Sequence, residues 1–200
     1  MELDDKRWLV CKPDDLWIYD KLILSRKLKY VCGPAGVDVP YPGEYIVRPI
    51  TNIDGMGYGA KFVHIEKRTD DVNLVPPGYF WCEIFKGKHL SVDYVDQRQK
   101  FCVEGIRPDK APLYKWDQWK KSDDQIPFPQ ILELLSYKKF NCEFIGGHLI
   151  ETHLRGNPDF TTDADYVIPV WEGDDTTPPP GMEFEEDRDY KRLGRFKPIK

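Results

Sequence analysis

Two glutamates, a histidine and an arginine lie in the segment 141–155, at spacings that suit metal and phosphate chemistry. The pattern predicts a β-hairpin, and its pairing register decides which side chains share a face. A two-residue Gly-Gly turn would put Glu143 and Glu151 on opposite faces, because side chains alternate along a strand. A three-residue Gly-Gly-His turn, with a glycine in the left-handed bulge position, pairs Glu143 with Glu151. It also pairs Asn141 with His153, and we prefer it because it separates polar from apolar side chains better.

The preferred register also defines the other face of the hairpin. That face is mostly apolar and consists of Phe140, Cys142, Phe144, Ile150, Thr152 and Leu154. Carboxylates that are close together on a sheet repel each other unless a cation lies between them, and oxygen ligands with retained water suit Mg²⁺. Glu143 and Glu151 therefore predict a Mg²⁺ site. A solvated face with scattered charges is the alternative, which the hairpin alone does not exclude.

Composition limits the class of protein. The 200 residues fit one domain, or one domain with a tail. The 29 basic and 34 acidic residues are well mixed, which argues against general nucleic-acid binding. Five dispersed cysteines without a Cys-x-x-Cys pair indicate neither a structural zinc site nor a disulfide framework. The charged N-terminus lacks a signal region, and no stretch reaches the roughly 18 apolar residues of a membrane span. We therefore expect a cytosolic protein without a membrane partner.

The order of elements predicts an α+β fold with a mostly antiparallel sheet. Helical spacing predicts an amphipathic helix over 14–29 and a second helix over 127–139. The predicted strands are 8–11, 44–49, 59–66, 79–85, 89–95, 99–104 and an edge strand at 166–171. A glycine-rich loop, Thr51–Gly59, joins two of them directly after Arg48. Alone it is typical of an ordinary hairpin turn, although Gly55 and Gly57 would let backbone N–H groups approach a phosphate.

Five short motifs, taken in order over residues 14–160, resemble those of the ATP-grasp superfamily. They are Asp20-Lys21, Gly36-Val-Asp-Val-Pro40, Arg48 before the glycine loop, Glu83 to Ser91-Val-Asp93, and Glu151-Thr-His-Leu-Arg155. The resemblance implies two small lobes with mostly antiparallel sheets and flanking helices, which hold ATP between them. It implies a nucleotide-binding domain over 1–160, with the lobes meeting near 78–84. After this domain the sequence loses regularity, and its proline-rich linker and highly charged end predict an irregular, partly extended tail over 161–200.

The resemblance also implies roles for individual residues. Lys21 and Arg48 would hold the ATP phosphates, and Asp54–Gly59, with Gly55 and Gly57, would close over them. The backbone around Glu83, Ile84 and Phe85 would read the adenine, and His89 stands where many members contact the ribose. Glu143, Glu151 and His153 would carry Mg²⁺, and Arg155 with Arg48 would neutralise charge on the transferring phosphoryl group.

Three departures from the family pattern bear on activity. His153 replaces a common asparagine, and histidine is a softer ligand than Mg²⁺ prefers. His89 replaces a common acidic residue. Only residues 1–13 precede the first motif, where typical ligases place a whole α/β domain. Recognition of the acceptor is therefore expected to come from the tail, from a second copy in a homodimer, or from a partner protein.

The activity implied is a ligase that uses ATP to activate a small-molecule or peptide carboxylate as an acyl phosphate, which an amine then attacks. Phosphoryl transfer needs cations and in-line positioning of the reactants more than covalent catalysis by the protein. The basic side chains and the Mg²⁺ that the resemblance implies would supply the cations. One alternative is an inactive nucleotide-binding or structural protein with the same fold. Another is an unrelated α+β binding module. For the ligase, we expect Glu151→Gln to weaken Mg²⁺-dependent effects of ATP and to leave the fold intact.

Overall fold

The computed structural model describes residues 7, 9–51, 57–69, 71, 73–108, 111–158, 160, 164–189 and 191–200. Within this part of the chain, strands dominate and helices are short. The strands are β1 Cys32–Pro34, β2 Gly43–Pro49, β3 Lys61–Ile65, β4 Tyr79–Cys82, β5 His89–Val95, β6 Arg98–Ile106, β7 Gln118–Lys121, β8 Lys139–Ile145, β9 His148–His153, β10 Tyr166–Trp171, β11 Met182–Asp189 and β12 Arg192–Pro198. One α-helix, α1, spans Lys21–Lys27, and 3-10 helices span Pro13–Tyr19 and Gln130–Leu132.

The strands form two antiparallel sheets. A four-stranded sheet has the order β1-β4-β2-β3, and an eight-stranded sheet has the order β11-β12-β10-β7-β6-β5-β8-β9. We call them the small sheet and the large sheet. Residues 83–88 connect β4 of the small sheet to β5 of the large sheet and form the hinge segment. The predicted α+β class with antiparallel sheets in two lobes is confirmed.

Helix α1 packs against both sheets. Its Leu24 joins the core under the large sheet, together with Val92 and Cys142, whereas Leu22 packs with Phe80 of the small sheet. The helix predicted over 14–29 is divided at Asp20, whose side chain accepts a hydrogen bond from the backbone N–H of Ile23 at 2.7 Å. This cap starts a new helix and thereby places Lys21 in its first turn.

Two other predicted elements are absent from the described residues. Leu9 and Val10 form an exposed turn in place of a strand, and Trp8 lies outside the described residues. The helix predicted over 127–139 is only the 3-10 turn Gln130–Leu132. Pro127 and Pro129 lack the backbone N–H that a helix needs, which accounts for the short element.

The C-terminal region, where we expected an irregular tail, contains three strands of the large sheet. Strand β10 pairs with β7 on one side and with β12 on the other, so it is an internal strand and not an edge strand. The charged residues of β11 and β12 pair across the strands, for example Arg195 with Glu185. Charge there is compatible with a sheet, because opposite charges on facing strands attract each other.

None of the helices in the described part of the chain is both long enough and apolar enough to span a membrane. All five cysteines lie in this part of the chain, and none of them forms a disulfide there.

Candidate nucleotide site

A cleft of about 1190 Å³ lies between the two sheets and is bordered by the hinge segment. It gathers all the sequence-predicted site residues that the structure describes: Lys21, Arg48, Gly57, Glu83, Ile84, Phe85, His89, Glu143, Glu151, His153 and Arg155. Gly55 lies outside the described residues, as does the Asp54–Met56 part of the predicted lid. Residues far apart in sequence thus line one cavity.

The β8–β9 hairpin has the predicted pairing but reaches it through a different turn. Glu143 faces Glu151, and Asn141 faces His153. The turn is the two-residue Gly-Gly turn, which pairs Ile145 with His148, and a bulge after Glu143 shifts the register. A bulge adds one residue to one strand, so it restores the shared face that a two-residue turn alone would lose.

The bulge also changes which residue of β9 belongs to the predicted apolar face. Leu149, not Ile150, joins the core under the large sheet. Ile150 instead lines the cleft, and its carbonyl oxygen accepts a hydrogen bond from Nη2 of Arg48 at 3.1 Å. The bulged residue therefore links the large sheet to β2 of the small sheet.

Two buried cations, Lys21 and Arg48, line the cleft. Lys21 is 4% exposed, and its Nζ lies 3.2 Å from Oε2 of Glu151. Arg48 is 9% exposed, and its Nε has no hydrogen-bond partner among the described residues. A buried N–H group without a partner is costly, so this donor is suited to an anionic ligand in the cleft.

Glu151 carries its negative charge in this environment. Burial alone would raise the pKa of its carboxyl group, but Lys21, a hydrogen bond from His153 and the charge of Arg48 outweigh burial and hold the pKa well below its usual range. Nε2 of His153 lies 3.2 Å from Oε1 of Glu151. The histidine therefore contacts Glu151, with which it was predicted to hold Mg²⁺.

Glu143 has a second histidine as its neighbour. Nε2 of His89 lies 3.3 Å from Oε2 of Glu143. The His89 ring in turn contacts the ring of Trp116, with 4.6 Å between centroids. His89 thus connects the predicted metal carboxylate with an aromatic wall of the cleft.

The donor set fits a magnesium ion that arrives with phosphates. The described residues contain no group of three or more His, Cys, Asp and Glu side chains arranged to hold a metal. Mg²⁺, however, is usually held by one or two carboxylates together with substrate phosphates and water. Glu143 and Glu151, paired across β8 and β9, match that arrangement. The ligand roles of Glu143, Glu151 and His153 stay a prediction.

The hinge segment is locked to the tip of the β8–β9 hairpin. The rings of Phe85 and His148 stack at 4.2 Å, and the backbone N–H of Gly146 donates to the carbonyl oxygen of Lys88 at 2.9 Å. A Cβ atom added to Gly87 would lie 2.7 Å from Cα of Gly146, so only glycine permits this approach. The hairpin that carries Glu143 and Glu151 is thereby fixed to the hinge.

A buried polar network, which the sequence motifs did not predict, lies behind the cleft. The backbone N–H of Asn157 donates to Oδ1 of Asp93 at 2.8 Å, and Nδ2 of Asn141 donates to the same oxygen at 2.9 Å. Burial raises the pKa of Asp93, while these hydrogen bonds and Arg155 oppose the rise. The network fixes the segment that directly follows β9. Arg155 lies in this segment. The signal was present in the alternation of Ser91 and Asp93, which puts both polar groups on one face of β5.

Comparison with solved structures supports the fold. A structure described as an ATP-grasp superfamily protein from Archaeoglobus fulgidus aligns with a TM-score of 0.52 and 14% identity, over 99% of this chain and 71% of that one. N5-carboxyaminoimidazole synthetase from Staphylococcus aureus, complexed with ADP, aligns with a TM-score of 0.57 and 11% identity, over 94% of this chain and 69% of that one.

Sequence comparison gives weaker evidence of relationship than the structures do. No family model matches the chain. A folylpolyglutamate synthase from Arabidopsis thaliana is 33% identical over 89 residues, which is 40% of this chain. The match spans 14% of the length of that curated relative, so it shows a local likeness. The two-lobed antiparallel architecture and its structural neighbours together establish that the chain has the ATP-grasp fold.

Proposed function

We propose that the protein is an ATP-dependent ligase, which activates a carboxylate as an acyl phosphate for attack by an amine. The observation that carries this proposal is the cleft, which unites buried cations from α1 and β2 with the two carboxylates of the β8–β9 hairpin. The described lining residues include eight Lys and Arg against six Asp and Glu, in a chain whose formal net charge is −5. A locally positive cleft in an acidic chain favours an anionic ligand.

The chain's residues have distinct parts in this proposal. Arg48 donates its buried N–H groups to phosphate oxygens, and Lys21 balances the charge of Glu151 and of the phosphates. The backbone N–H of Glu83 donates to the carbonyl oxygen of Val31 at 2.9 Å, so reading of the adenine edge is assigned to Ile84 and Phe85. When bound, Mg²⁺ would neutralise phosphate charge and help to orient the transferring group.

The neighbouring synthetase that is complexed with ADP supports nucleotide binding in this cleft. A nucleotide-binding protein without ligase chemistry is the second candidate. It is favoured by His153, which stands where many members of the superfamily have asparagine and contacts Glu151 at 3.2 Å.

The test begins with the melting temperature, with ATP and Mg²⁺ added separately and together. A ligand that binds only the folded state raises the melting temperature, and we expect the full rise only when both are present. Release of ADP that depends on an added carboxylate and amine then separates a ligase from a passive nucleotide binder. Absence of any nucleotide effect would contradict the proposal.

Arg48→Met is expected to weaken the binding of Mg²⁺-ATP at least about tenfold, because it removes a charged donor from a buried site. Titration calorimetry measures the change. Lys61→Met is the matched control, since Lys61 is an exposed cation on β3, the strand next to β2, and does not line the cleft. Equal affinities for the two variants would remove Arg48 from the phosphate site.

A further inference from the structure

The tip of the β11–β12 hairpin reaches into the same cleft. Asp187, Arg188 and Asp189 of this tip line the cavity together with Arg192. Arg192 is 4% exposed, and its Nη2 lies 3.1 Å from Oδ2 of Asp187 and 3.9 Å from Oδ2 of Asp189. These ion pairs hold the tip. The side chain of Arg188 is 70% exposed, and its Nε lies 2.6 Å from Oε1 of Glu186, which is itself 65% exposed.

The end of β6 and the described residues that follow it contribute a mostly apolar wall to the same cleft. The described residues of this acceptor wall are Ile106, Arg107, Pro108, Ala111, Leu113 and Trp116. The ring of Trp116 lies over Gly105, where an added Cβ atom would come within 2.8 Å of it. The carbonyl oxygen of Trp116 accepts a hydrogen bond from Nε1 of Trp171 at 2.9 Å, so β10 fixes the wall from behind.

Two contacts place the acceptor wall at the end of the cleft where phosphates would lie. A Cβ atom added to Gly57, in the glycine-rich loop, would lie 3.8 Å from the carbonyl oxygen of Leu113. On the other side, His89 contacts both Trp116 and Glu143. The wall therefore borders the glycine-rich loop and one of the paired carboxylates.

Two guanidinium groups, those of Arg107 and Arg188, lie beside the apolar surface at this end of the cleft, where Asp187 and Asp189 pair with Arg192. The guanidinium carbon of Arg107 lies 5.9 Å from the centroid of the Trp116 ring, and Arg188 enters from the hairpin tip. Guanidinium groups bind carboxylates through two parallel hydrogen bonds, and apolar side chains exclude water from the rest of the ligand.

We propose that the acceptor wall and the β11–β12 tip bind the acceptor acid, and that this acid has an apolar or aromatic body. The inference rests on the proposed function and names its substrate class. In the reaction, a carboxylate oxygen attacks the γ-phosphorus, and the bond from that phosphorus to the ADP oxygen breaks. The nucleophile then attacks the acyl carbon, loses a proton, and phosphate leaves with the bonding electron pair.

Binding of a probe acid tests the wall without requiring turnover. Calorimetry compares 3-phenylpropanoate with acetate in the presence of Mg²⁺ and a non-hydrolysable ATP analogue. We expect 3-phenylpropanoate to bind at least about tenfold more tightly than acetate, because its phenyl group buries apolar area. Binding that is equal for the two acids, or absent for both, would overturn the proposal.

The double variant Arg107→Ala/Arg188→Ala is expected to weaken the binding of 3-phenylpropanoate at least about tenfold. Arg98→Ala is the control, because Arg98 is an exposed arginine that begins β6 and does not line the cleft. Unchanged binding by the double variant would contradict the role of the two arginines.

Turnover separates this inference from the proposed function. With hydroxylamine as the nucleophile, an acyl phosphate is converted to a hydroxamate, which is measured directly. Tight binding of 3-phenylpropanoate without hydroxamate would support the wall and contradict the ligase proposal. Hydroxamate formed equally from both acids, and equally by the double variant, would support a ligase and contradict the wall.

Discussion

Glu151→Gln is expected to destabilise the protein by about 3 kcal/mol, because it leaves Lys21 buried without its charged partner. The side chains of Lys21 and Glu151 are only 5% and 13% exposed, so solvent screens the pair weakly. For a chain of 200 residues this loss corresponds to a fall in Tm of roughly 6–12 °C. That this variant keeps its fold stays a prediction, and the buried Lys21–Glu151 pair adds the expectation that its stability falls.

Glu143→Gln is the matched variant. Glu143 is 24% exposed and its neighbour is His89, so the expected loss of stability is below about 1 kcal/mol. Both variants should lose the Mg²⁺-dependent part of the stabilisation by ATP, because each removes one carboxylate charge. A Glu143→Gln protein that keeps the parent's Mg²⁺-dependent shift would show that the metal assignment is wrong.

The pH dependence of the Glu151 variant follows from the lowered pKa of that carboxyl group. Its folded-state pKa is held well below the unfolded value of 4.5 by Lys21, His153 and Arg48, which outweigh burial. The stability that it contributes is therefore present above that value and is lost as pH falls through the folded-state pKa. The difference in unfolding free energy between parent and Glu151→Gln should stay constant from about pH 7 to pH 5 and shrink in more acidic solution. A difference that already shrinks above pH 5 would contradict the lowered pKa.

Gly146→Ala is expected to destabilise the protein by about 3 kcal/mol and to disturb the hinge. Gly146 has a φ of 57°, and an added Cβ atom would collide with the carbonyl oxygen of Lys86. The positive φ costs about 1 kcal/mol for alanine, and the collision with backbone adds about 1–3 kcal/mol. Denaturant unfolding measures the loss.

Gly147→Ala isolates the first of these effects, the cost of the positive φ. Gly147 has a φ of 86°, but an added Cβ atom there meets nothing within 4 Å. This variant should lose only about 1 kcal/mol and keep the parent's affinity for nucleotide. Gly146→Ala should lose nucleotide affinity as well, since Ile84 and Phe85 lie in the hinge that it displaces. Equal behaviour of the two variants would mean that the hairpin tip does not set the position of the hinge.

The β8–β9 hairpin shows how far the sequence alone could be interpreted. Polar and apolar alternation correctly predicted that Glu143 faces Glu151. It could not distinguish a three-residue turn from a two-residue turn followed by a bulge, because both restore the same shared face. The bulge moves Ile150 into the cleft, a result that depends on contact with Arg48 of the other sheet.

Helices and the C-terminal region were harder to predict, for different physical reasons. Apolar residues recur at helical spacing over 14–29 without a break. The helix nevertheless restarts at Asp20, whose side chain caps the backbone N–H of Ile23, and the spacing of apolar residues gives no sign of such a cap. Strands β11 and β12 are highly charged, and composition therefore suggested an irregular, partly extended tail. Their charges instead find partners across the strands, such as Lys197 with Glu183 at 3.4 Å, and only the folded pairing reveals this. The ordered motifs around Lys21, Arg48 and Glu151 identified the fold despite these errors.

The internal position of β10 has a consequence for synthesis of the chain on the ribosome. Strand β7 ends at Lys121, but its partner begins at Tyr166, so β7 is an open edge while the intervening residues are being translated. An unpaired edge is a template for strands of other molecules. Nascent chains therefore present an open sheet edge in this interval, and the sheet is complete only after β12 has emerged and paired with β10.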